Sequence, residues 1–284
     1  MATAVEDLID LLDLEAIEVN IFRGAQPREE NPSLQRVFGG QVAGQALVAA
    51  ARTVDERERT VHSLHAYFLR PGDMTIPIVY DVDRIRDGKS FTTRRVVAIQ
   101  HGRAIFNMQA SFQVPEDGFD HQAVMPDVPP PDDVPTMADR FRAAGLEAPM
   151  GPRPIDVRHV SEPAWFNRDV GRTTQHVWFR ATGRLPDDPI LHTCVVTYAS
   201  DLTLLDTALL PHGRVFGDRG LQMASLDHAM WFHRAFRADE WLLYAQETHS
   251  ASGARGLAQG SIFTQDGQLA VSVVQEGLIR KHPS

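Results

Sequence analysis

Three polar side chains in the C-terminal half of this 284-residue chain are of types that can do chemistry on a bound molecule: Asp201, Ser225 and Gln275. A carboxylate can accept a proton, and a hydroxyl and an amide can form the hydrogen bonds that orient a reactant. The three residues are far apart in the sequence, so they can act together only if the fold brings them together. Their approach depends on the helices and strands that carry them.

Two of these residues also have an ordinary structural interpretation. Asp201 stands between an apolar run and the helical pattern LTLLDTALL, where an aspartate could serve as a helix N-cap. Gln275 shares one face of a predicted strand with Val271 and Val273, by the period of two. An amide on that apolar face either finds hydrogen-bond partners, at a cost of about 1–3 kcal/mol if it fails, or lies at a strand end wetted by solvent.

The elements that carry these residues belong to an internal duplication. The segment SLHAYFLR, from Ser63 to Arg70, returns as SLDHAMWFHR, from Ser225 to Arg234. The second version has an additional acid, Asp227, which is either a structural partner of the neighbouring histidine or a surface residue. In each half, one helix-like run is followed by several strand-like runs. A repeat of this length indicates two copies of one fold, not a short-period solenoid.

The two copies can be compared directly because they follow the same order. Matching the motifs sets His65 against His228, and matching the hairpin turns sets Gly102 against Gly267. The second match places Ala110 of the first copy against Gln275 of the second. The region equivalent to Asp201 is then the glycine-rich stretch at Gly39–Gly40, which has no carboxylate. The chemistry-bearing side chains are thus expected in the second copy only.

One uncharged run, Val37 to Ala51, predicts the central helix of the first copy. Its glycines and alanines make a helix without a charged face, and such a helix is expected to be buried. In the second copy we predict the equivalent helix in YASDLTLLDTALL and a strand in ILHTCVVTYAS. The segment from Ile76 to Val82 alternates apolar and polar residues, which is typical of a half-buried antiparallel strand.

These patterns predict an α+β protein with the double hotdog fold. In it, two antiparallel sheets each wrap around a central helix and merge into one extended sheet. The stretch from Val114 to Phe141 is rich in proline, which disfavours a helix or a central strand. We therefore divide the chain into an N-terminal hotdog (1–115), a Pro-rich linker (116–154) with a short helical pattern at TMADRFRAAG, and a C-terminal hotdog (155–284).

Composition argues against one class of binding partner and indicates the cell compartment. A formal net charge of −9 argues against a nucleic-acid partner, which calls for clustered Lys and Arg. The single cysteine, Cys194, forms no internal disulfide and is expected to be a small buried side chain. The acidic start MATAVEDLIDLLDLEAI is unlike a secretory signal, and the uncharged run at Val37–Ala51 is too short for a membrane span. Cytoplasm is the expected location.

Other site chemistries find little support in the sequence. There is no G-x-S-x-G nucleophile elbow, no paired Cys/His site, and GGQVAG does not match G-x-G-x-x-G. His62 and His65 are three residues apart on a predicted strand and face opposite sides, as do His228 and His233. We therefore predict no metal and no cofactor. The following arginines are predicted to be solvated charges, with contact to phosphates of a ligand as the alternative: Arg70, Arg94, Arg95, Arg234 and Arg255.

Seven sequence blocks together resemble one family, the type II acyl-CoA thioesterases (TesB family). In chain order they are VFGGQVAGQAL, VHSLHAYFLRPGD, IVYDVDRIRDGKSFTTRRV, ASLDHAMWFHR, EWLLY, SASGARG and VQEGLIR. The resemblance covers nearly the whole chain. It implies a double hotdog fold and hydrolysis of fatty acyl-CoA to free acid and CoA, with an acyl-CoA substrate as the partner.

The resemblance also implies roles for residues. The family's Asp, Thr or Ser, and Gln fall on Asp201, Ser225 and Gln275, where many relatives have Thr in place of this serine. These residues would activate and hold one water for direct attack on the thioester. The alternatives are a hotdog enoyl-CoA hydratase and a non-catalytic acyl-CoA-binding protein. Because hotdog sheets have edges that can pair with a partner, we expect a homodimer or homotetramer.

Overall fold

A computed structural model describes residues 3–26, 36–55, 59–147, 151 and 153–282. It is built on one antiparallel sheet of 13 strands. The strands of the first half are β1 (Glu15–Glu18), β2 (Ile21–Gly24), β3 (Thr60–Phe68), β4 (Ile78–Asp87), β5 (Phe91–Gln100) and β6 (Arg103–Gln113). Those of the second half are β7 (Ile155–His159), β8 (Thr174–Ala181), β9 (Leu221–Ser225), β10 (Asp227–Phe232), β11 (Leu242–Ser252), β12 (Arg255–Thr264) and β13 (Leu269–Lys281).

The order of the strands confirms the duplication. It runs β1-β2-β4-β5-β6-β3-β10-β13-β12-β11-β8-β7, with β9 added beside β13. Read outward from the β3–β10 pair, β6 matches β13, β5 matches β12, β4 matches β11 and β2 matches β8. The two sheets therefore merge where the two motif-bearing strands pair, and the predicted double hotdog architecture is confirmed.

The two longest α-helices are α2 (Gly39–Arg52) and α4 (Pro189–Ser200), and their buried apolar residues belong to the hydrophobic core. They pack against each other, and Gly44 of α2 lies close to the backbone carbonyl of Cys194 in α4, so that a side chain there would be crowded. The predicted buried helix of the first copy is confirmed, since nearly every residue of α2 is buried. Two shorter helices are α1 (Ala4–Leu12) and α3 (Met137–Ala143).

The central helix of the second copy was placed wrongly by the sequence pattern. The run predicted as a strand forms α4, and the run predicted as a helix forms a turn and a 3₁₀ helix, Leu205–His212. An apolar run buried on all sides carries no periodicity that distinguishes a strand from a helix. The helix start is nevertheless marked, because Asp188 accepts a hydrogen bond from the Ile190 N–H and Pro189 occupies the first turn. Cys194 is buried, as predicted.

The two copies also differ in which residues of the repeated motif face the core. His65 pairs with Ala229 and Ala66 pairs with His228 across the β3–β10 ladder. Paired residues point to the same face of a sheet, and His65 is exposed while His228 is buried. The direct match of His65 with His228 is therefore wrong, because a shift of one residue reverses the face of a strand.

The counterpart of Asp201 in the first copy is Thr53, not the Gly39–Gly40 stretch. Thr53 is the C-cap of α2 as Asp201 is the C-cap of α4. The fully buried guanidinium of Arg94 donates to the Thr53 hydroxyl (2.9 Å) and carbonyl (3.0 Å), and pairs with Asp87 (2.6 Å). The prediction that Arg94 is solvated is therefore wrong.

The linker is tied to the second half by polar contacts and one tryptophan. Gln122 donates to the Gly267 carbonyl (2.8 Å), and the Trp178 indole donates to the Pro129 carbonyl (2.9 Å). Thr136 and Asp139 form a capping box at the start of α3, which confirms the short helix predicted there. A proline-rich segment can follow the surface in this way because side chains satisfy the backbone groups that it exposes.

One stretch, Pro189–His212, is long and apolar enough to cross a membrane by length and composition alone, with mean hydropathy 1.2. In the fold it is not one continuous helix, because α4 ends at Ser200 and a turn precedes the 3₁₀ helix. Buried residues make up 67% of the window. The stretch thus supplies core to this protein, which accounts for its composition.

Candidate active site

The structure brings the three candidate residues together although they lie on different elements. Asp201 is the C-cap of α4, Ser225 is the last residue of β9, and Gln275 lies in β13. The Gln275 amide nitrogen donates to Asp201 Oδ1 (2.7 Å) and to Ser225 Oγ (3.0 Å). Ser225 Oγ in turn donates to the same carboxylate oxygen at 3.3 Å. The carboxylate, the hydroxyl and the amide form a closed triangle of hydrogen bonds.

Gln275 is fully buried in the middle of the sheet, so the prediction of a solvent-wetted strand end is wrong. Its strand is flanked by β12 on one side and by β9 and β10 on the other. Because its NH₂ group must face the carboxylate, its carbonyl oxygen Oε1 points elsewhere. That atom is buried and accepts no hydrogen bond from the described residues. A buried acceptor of this kind is costly unless it receives an O–H or N–H from a ligand or water.

The interpretation of Asp201 as a helix N-cap is also wrong, because it ends α4 instead of starting a helix. A carboxylate is electrostatically unfavourable at a helix C-terminus. Asp201 is instead placed at the positive end of the other central helix, where the backbone N–H of Gly40 donates to it. The N-cap of α2, Phe38, offers no side-chain acceptor. The second copy thus supplies the acceptor that the first copy's helix lacks.

Burial sets the protonation of this site. It raises the pKa of Asp201 from 3.8 to about 6, because the carboxylate is removed from water. The hydrogen bonds from Gln275, Gly40 and Ser225, and the charge of Arg36, act in the opposite direction and limit the rise. A carboxylate with such a pKa is a stronger base than ordinary aspartate and is still ionised at neutral pH.

The lack of a side chain at Gly39 leaves space for the Asp201 carboxylate. A Cβ atom at this position would lie 2.6 Å from Asp201 Oδ2 and 2.9 Å from the ring of Phe68. We predict that Gly39→Ala lowers kcat by about tenfold or more, since the carboxylate must move away from its partners. Alanine itself favours a helix over glycine by about 1 kcal/mol, so helix stability does not oppose the change.

The control for this substitution is Gly118→Ala, where an added Cβ meets no atom within 4 Å. Steady-state kinetics of the two variants at equal concentration of folded protein check the prediction. Equal rates for Gly39→Ala and the unmodified enzyme would show that Asp201 needs no close approach to α2.

A second carboxylate, Asp206, lies near the site and was missed by the sequence pattern. Burial and the charge of Asp201 raise its pKa to about 7. It lines a small cavity, with about 20 Å³ of room for water, together with His159, Gln175 and Trp165. The helical pattern LTLLDTALL does not indicate that Asp206 is buried, because its burial depends on the turn that follows Asp201.

The neighbouring Asp227 and His228 point to opposite faces of their strand, as predicted. Asp227 accepts a hydrogen bond from the backbone N–H of Glu276 (2.7 Å), while the buried His228 contacts Ser200 Oγ (2.8 Å). The two side chains cannot converge on one double bond. An Asp/His pair for hydration of an enoyl group is therefore not formed by these residues.

Family profiles cover both halves of the chain. The acyl-CoA thioesterase profile matches residues 153–278, and the profile of the acyl-CoA thioesterase N-terminal domain matches residues 27–113. Acyl-CoA thioesterase 2 of Haemophilus influenzae is 43% identical over 290 residues, covering 99% of both chains. Acyl-coenzyme A thioesterase 8 of the mouse is 43% identical, covering 96% of this chain and 88% of its own.

Solved structures of similar proteins also include an acyl-CoA thioesterase. The acyl-CoA thioesterase II TesB2 of Mycobacterium marinum is 51% identical, with a TM-score of 0.79 over 97% of this chain and 98% of its own. A hot dog fold protein from Alicyclobacillus acidocaldarius, at 22% identity and a TM-score of 0.78, covers 97% of this chain and 98% of its own and shares the architecture. Identity of this extent over the full length means that the chain belongs to the acyl-CoA thioesterase II (TesB) family and catalyses hydrolysis of acyl-CoA thioesters.

Proposed function

We propose that this enzyme hydrolyses fatty acyl-CoA by direct attack of a water molecule that Asp201 activates. The observation that supports this most is the Asp201–Ser225–Gln275 triangle, with its one buried acceptor left over at Gln275 Oε1. A water molecule that donates one hydrogen to the carboxylate and the other to Oε1 would have its lone pair directed away from both. Such a water is oriented for attack on a carbonyl carbon.

Ser225 holds the carboxylate for this task. Its hydroxyl accepts from Gln275 and donates to Asp201, so the three side chains fix one another's orientation. A serine meets this need as a threonine would, because only the hydroxyl takes part. No covalent acyl-enzyme is required. This agrees with a hydroxyl that donates to a carboxylate and whose hydrogen-bond partners among the described residues, Asp201 and Gln275, include no histidine.

The start of α2 is proposed to stabilise the oxyanion through N–H groups other than that of Gly40, which donates to Asp201. The first N–H groups of a helix have no partner inside the helix and carry its partial positive charge. The start of the other helix, α4, is not near: Asp201 follows its last residue, Ser200, and a 12-residue helix is about 18 Å long. The leaving group is a thiol with a pKa of about 8.5, so it departs without a strong general acid.

Thiol release as a function of pH tests the base. Because burial raises the pKa of Asp201 to about 6, we expect kcat/KM to rise about tenfold per pH unit well below 6 and to level off above it. The assay uses a panel of acyl-CoA substrates whose acyl chains run from short to long. A profile that is flat between pH 5 and 7 would contradict Asp201 as the base, and absence of release from every thioester would favour an acyl-CoA-binding protein.

We also propose a cytoplasmic homodimer or homotetramer. Among the residues that the structure describes, no further strand pairs with the outer sides of β1 and β7. Ile17 and Val19, on and beside β1, are 51% and 68% exposed, which is unusual for large apolar side chains at an unpartnered edge. Sedimentation analysis of the enzyme tests this, since a monomer at micromolar concentration would contradict it.

A further inference from the structure

The turn after Asp201 has little regular structure to hold it. Residues 201–204 form a turn, and Leu205–His212 form a 3₁₀ helix whose bonds are weaker than those of an α-helix. Two threonines of this segment, Thr203 and Thr207, point into the protein and are 8% and 0% exposed. Polar side chains so buried need partners, and those partners decide where the turn lies.

The partners are two buried glutamines on neighbouring strands. Gln175 of β8 and Gln246 of β11 are directly opposite each other in the sheet and are 6% and 1% exposed. The Gln246 amide nitrogen donates to the Thr203 hydroxyl (2.6 Å), and its carbonyl accepts from the Thr207 hydroxyl (3.0 Å).

Gln175 completes the connection. Its amide nitrogen lies within hydrogen-bond distance of the Gln246 carbonyl (2.7 Å), the Thr207 hydroxyl (2.9 Å) and the backbone carbonyl of Thr203 (3.1 Å). The four side chains thus form one continuous network between the sheet and the turn. No member of it touches the triangle of Asp201, Ser225 and Gln275 through a hydrogen bond that the structure describes.

Apolar side chains could fill this space at lower cost, because each buried polar group must be desolvated. What hydrogen bonds add is direction: a threonine hydroxyl that donates to one amide and accepts from another tolerates little displacement. Thr203 is two residues from Asp201, so a shift of the turn moves the carboxylate relative to Gln275 on the separate strand β13. A displacement of about 1 Å at a reacting group can cost about a hundredfold in rate.

We infer that Gln175, Gln246, Thr203 and Thr207 are positioning residues that hold the Asp201 turn against the sheet. This inference rests on the proposed role of Asp201 as the base. It makes the second copy's outer strands, β8 and β11, part of the catalytic apparatus although neither contributes a residue to the triangle.

The test uses substitutions that keep shape. Thr203→Val and Thr207→Val remove a hydroxyl, whereas Thr203→Ser and Thr207→Ser keep it. We expect the valine variants to lower kcat by about tenfold or more with KM changed less than about twofold, and the serine variants to stay within about threefold of the parent. The midpoint of the pH profile should move upward in the valine variants, because Asp201 is drawn away from donors that lower its pKa.

The matched control is Thr248→Val. Thr248 is 6% exposed on β11 and donates to the Leu257 carbonyl (2.7 Å), outside the network. It loses a buried hydroxyl as the others do, so it reports the effect of destabilisation alone. All variants are assayed well below their melting temperatures, with rates referred to folded protein.

Three outcomes separate the hypotheses. If Asp201→Asn, run in parallel, retains activity, the proposed base is wrong. If Asp201→Asn is inactive but the valine variants keep the parent's kcat and pH midpoint, only the positioning network is wrong. Equal losses in the valine and serine variants, or in Thr248→Val, would likewise overturn the network's role, because the hydroxyls would then not be what matters.

Discussion

Asp201→Asn is expected to give a folded protein that releases thiol from acyl-CoA at least about a thousandfold more slowly than the unmodified enzyme. The amide has the shape of the carboxylate but cannot accept a proton at neutral pH. Its NH₂ group would also face one of two donors to the present carboxylate, the Gln275 amide nitrogen at 2.7 Å or the Gly40 N–H. Stopped assays with purified protein measure the loss, and circular dichroism verifies the fold.

The same variant changes the pH dependence of stability. The folded-state pKa of Asp201 is about 6 and its ordinary value is 3.8, so the folded protein holds this proton more tightly than the unfolded chain. Its contribution to the free energy of unfolding is therefore complete below about pH 4 and is lost as the pH rises through 6. Asp201→Asn should lack this decline, which thermal unfolding between pH 4 and 7 measures.

Asp206→Asn is the control for the loss of activity in Asp201→Asn. It removes another carboxylate with a raised pKa that lies outside the triangle. Activity within a few-fold of the parent at pH 8 is expected. If Asp206→Asn were inactive and Asp201→Asn active, the base would have been assigned to the wrong aspartate.

Gln275→Leu is expected to lower kcat by about a hundredfold, the second largest effect. The substitution removes the donor to Asp201 and Ser225 and the free acceptor at Oε1, while it keeps the volume of the side chain. Because the hydrogen bond from Gln275 lowers the pKa of Asp201, its loss should also move the midpoint of the pH profile above 6. Steady-state kinetics from pH 5 to 8 measure both quantities.

Ser225→Thr serves as the matched variant for Gln275→Leu. It keeps a hydroxyl at the third corner of the triangle, and rates within about threefold of the parent are expected. A Gln275→Leu enzyme with an unchanged rate and an unchanged midpoint would show that the amide only fills space in β13.

The fold was predictable to the extent that the two copies resemble each other. The small residues of α2 and the repeated motif were sufficient for the double hotdog architecture. The helix α4 was not, because most of its residues are buried and its apolar residues show no clear amphipathic period. The pair Asp188–Pro189 is a helix start signal, and it marks where α4 begins.

The sequence indicated the three members of the candidate site, but not the hydrogen bonds that connect them. Gln275 stood out because it carries an amide on an apolar face, and its burial among donors and acceptors confirms that its environment is unusual. The Gly40 N–H bond to Asp201 and the glutamine–threonine network were not predictable, since they join residues far apart in sequence. Only tertiary packing decides such distances, so no periodicity within one segment can signal them.

The buried Arg94 described above has a consequence for how many substrates one chain can process at once. Thr53 stands where the second copy has Asp201, and Ala110, which pairs with Arg94, stands where the second copy has Gln275, which pairs with Ala258. The place of a second triangle is thus occupied by a guanidinium bound to Thr53 and Asp87. A symmetric dimer of single hotdogs would have two equivalent centres, whereas we expect one in this fused pair. Titration of active sites should therefore count one per polypeptide.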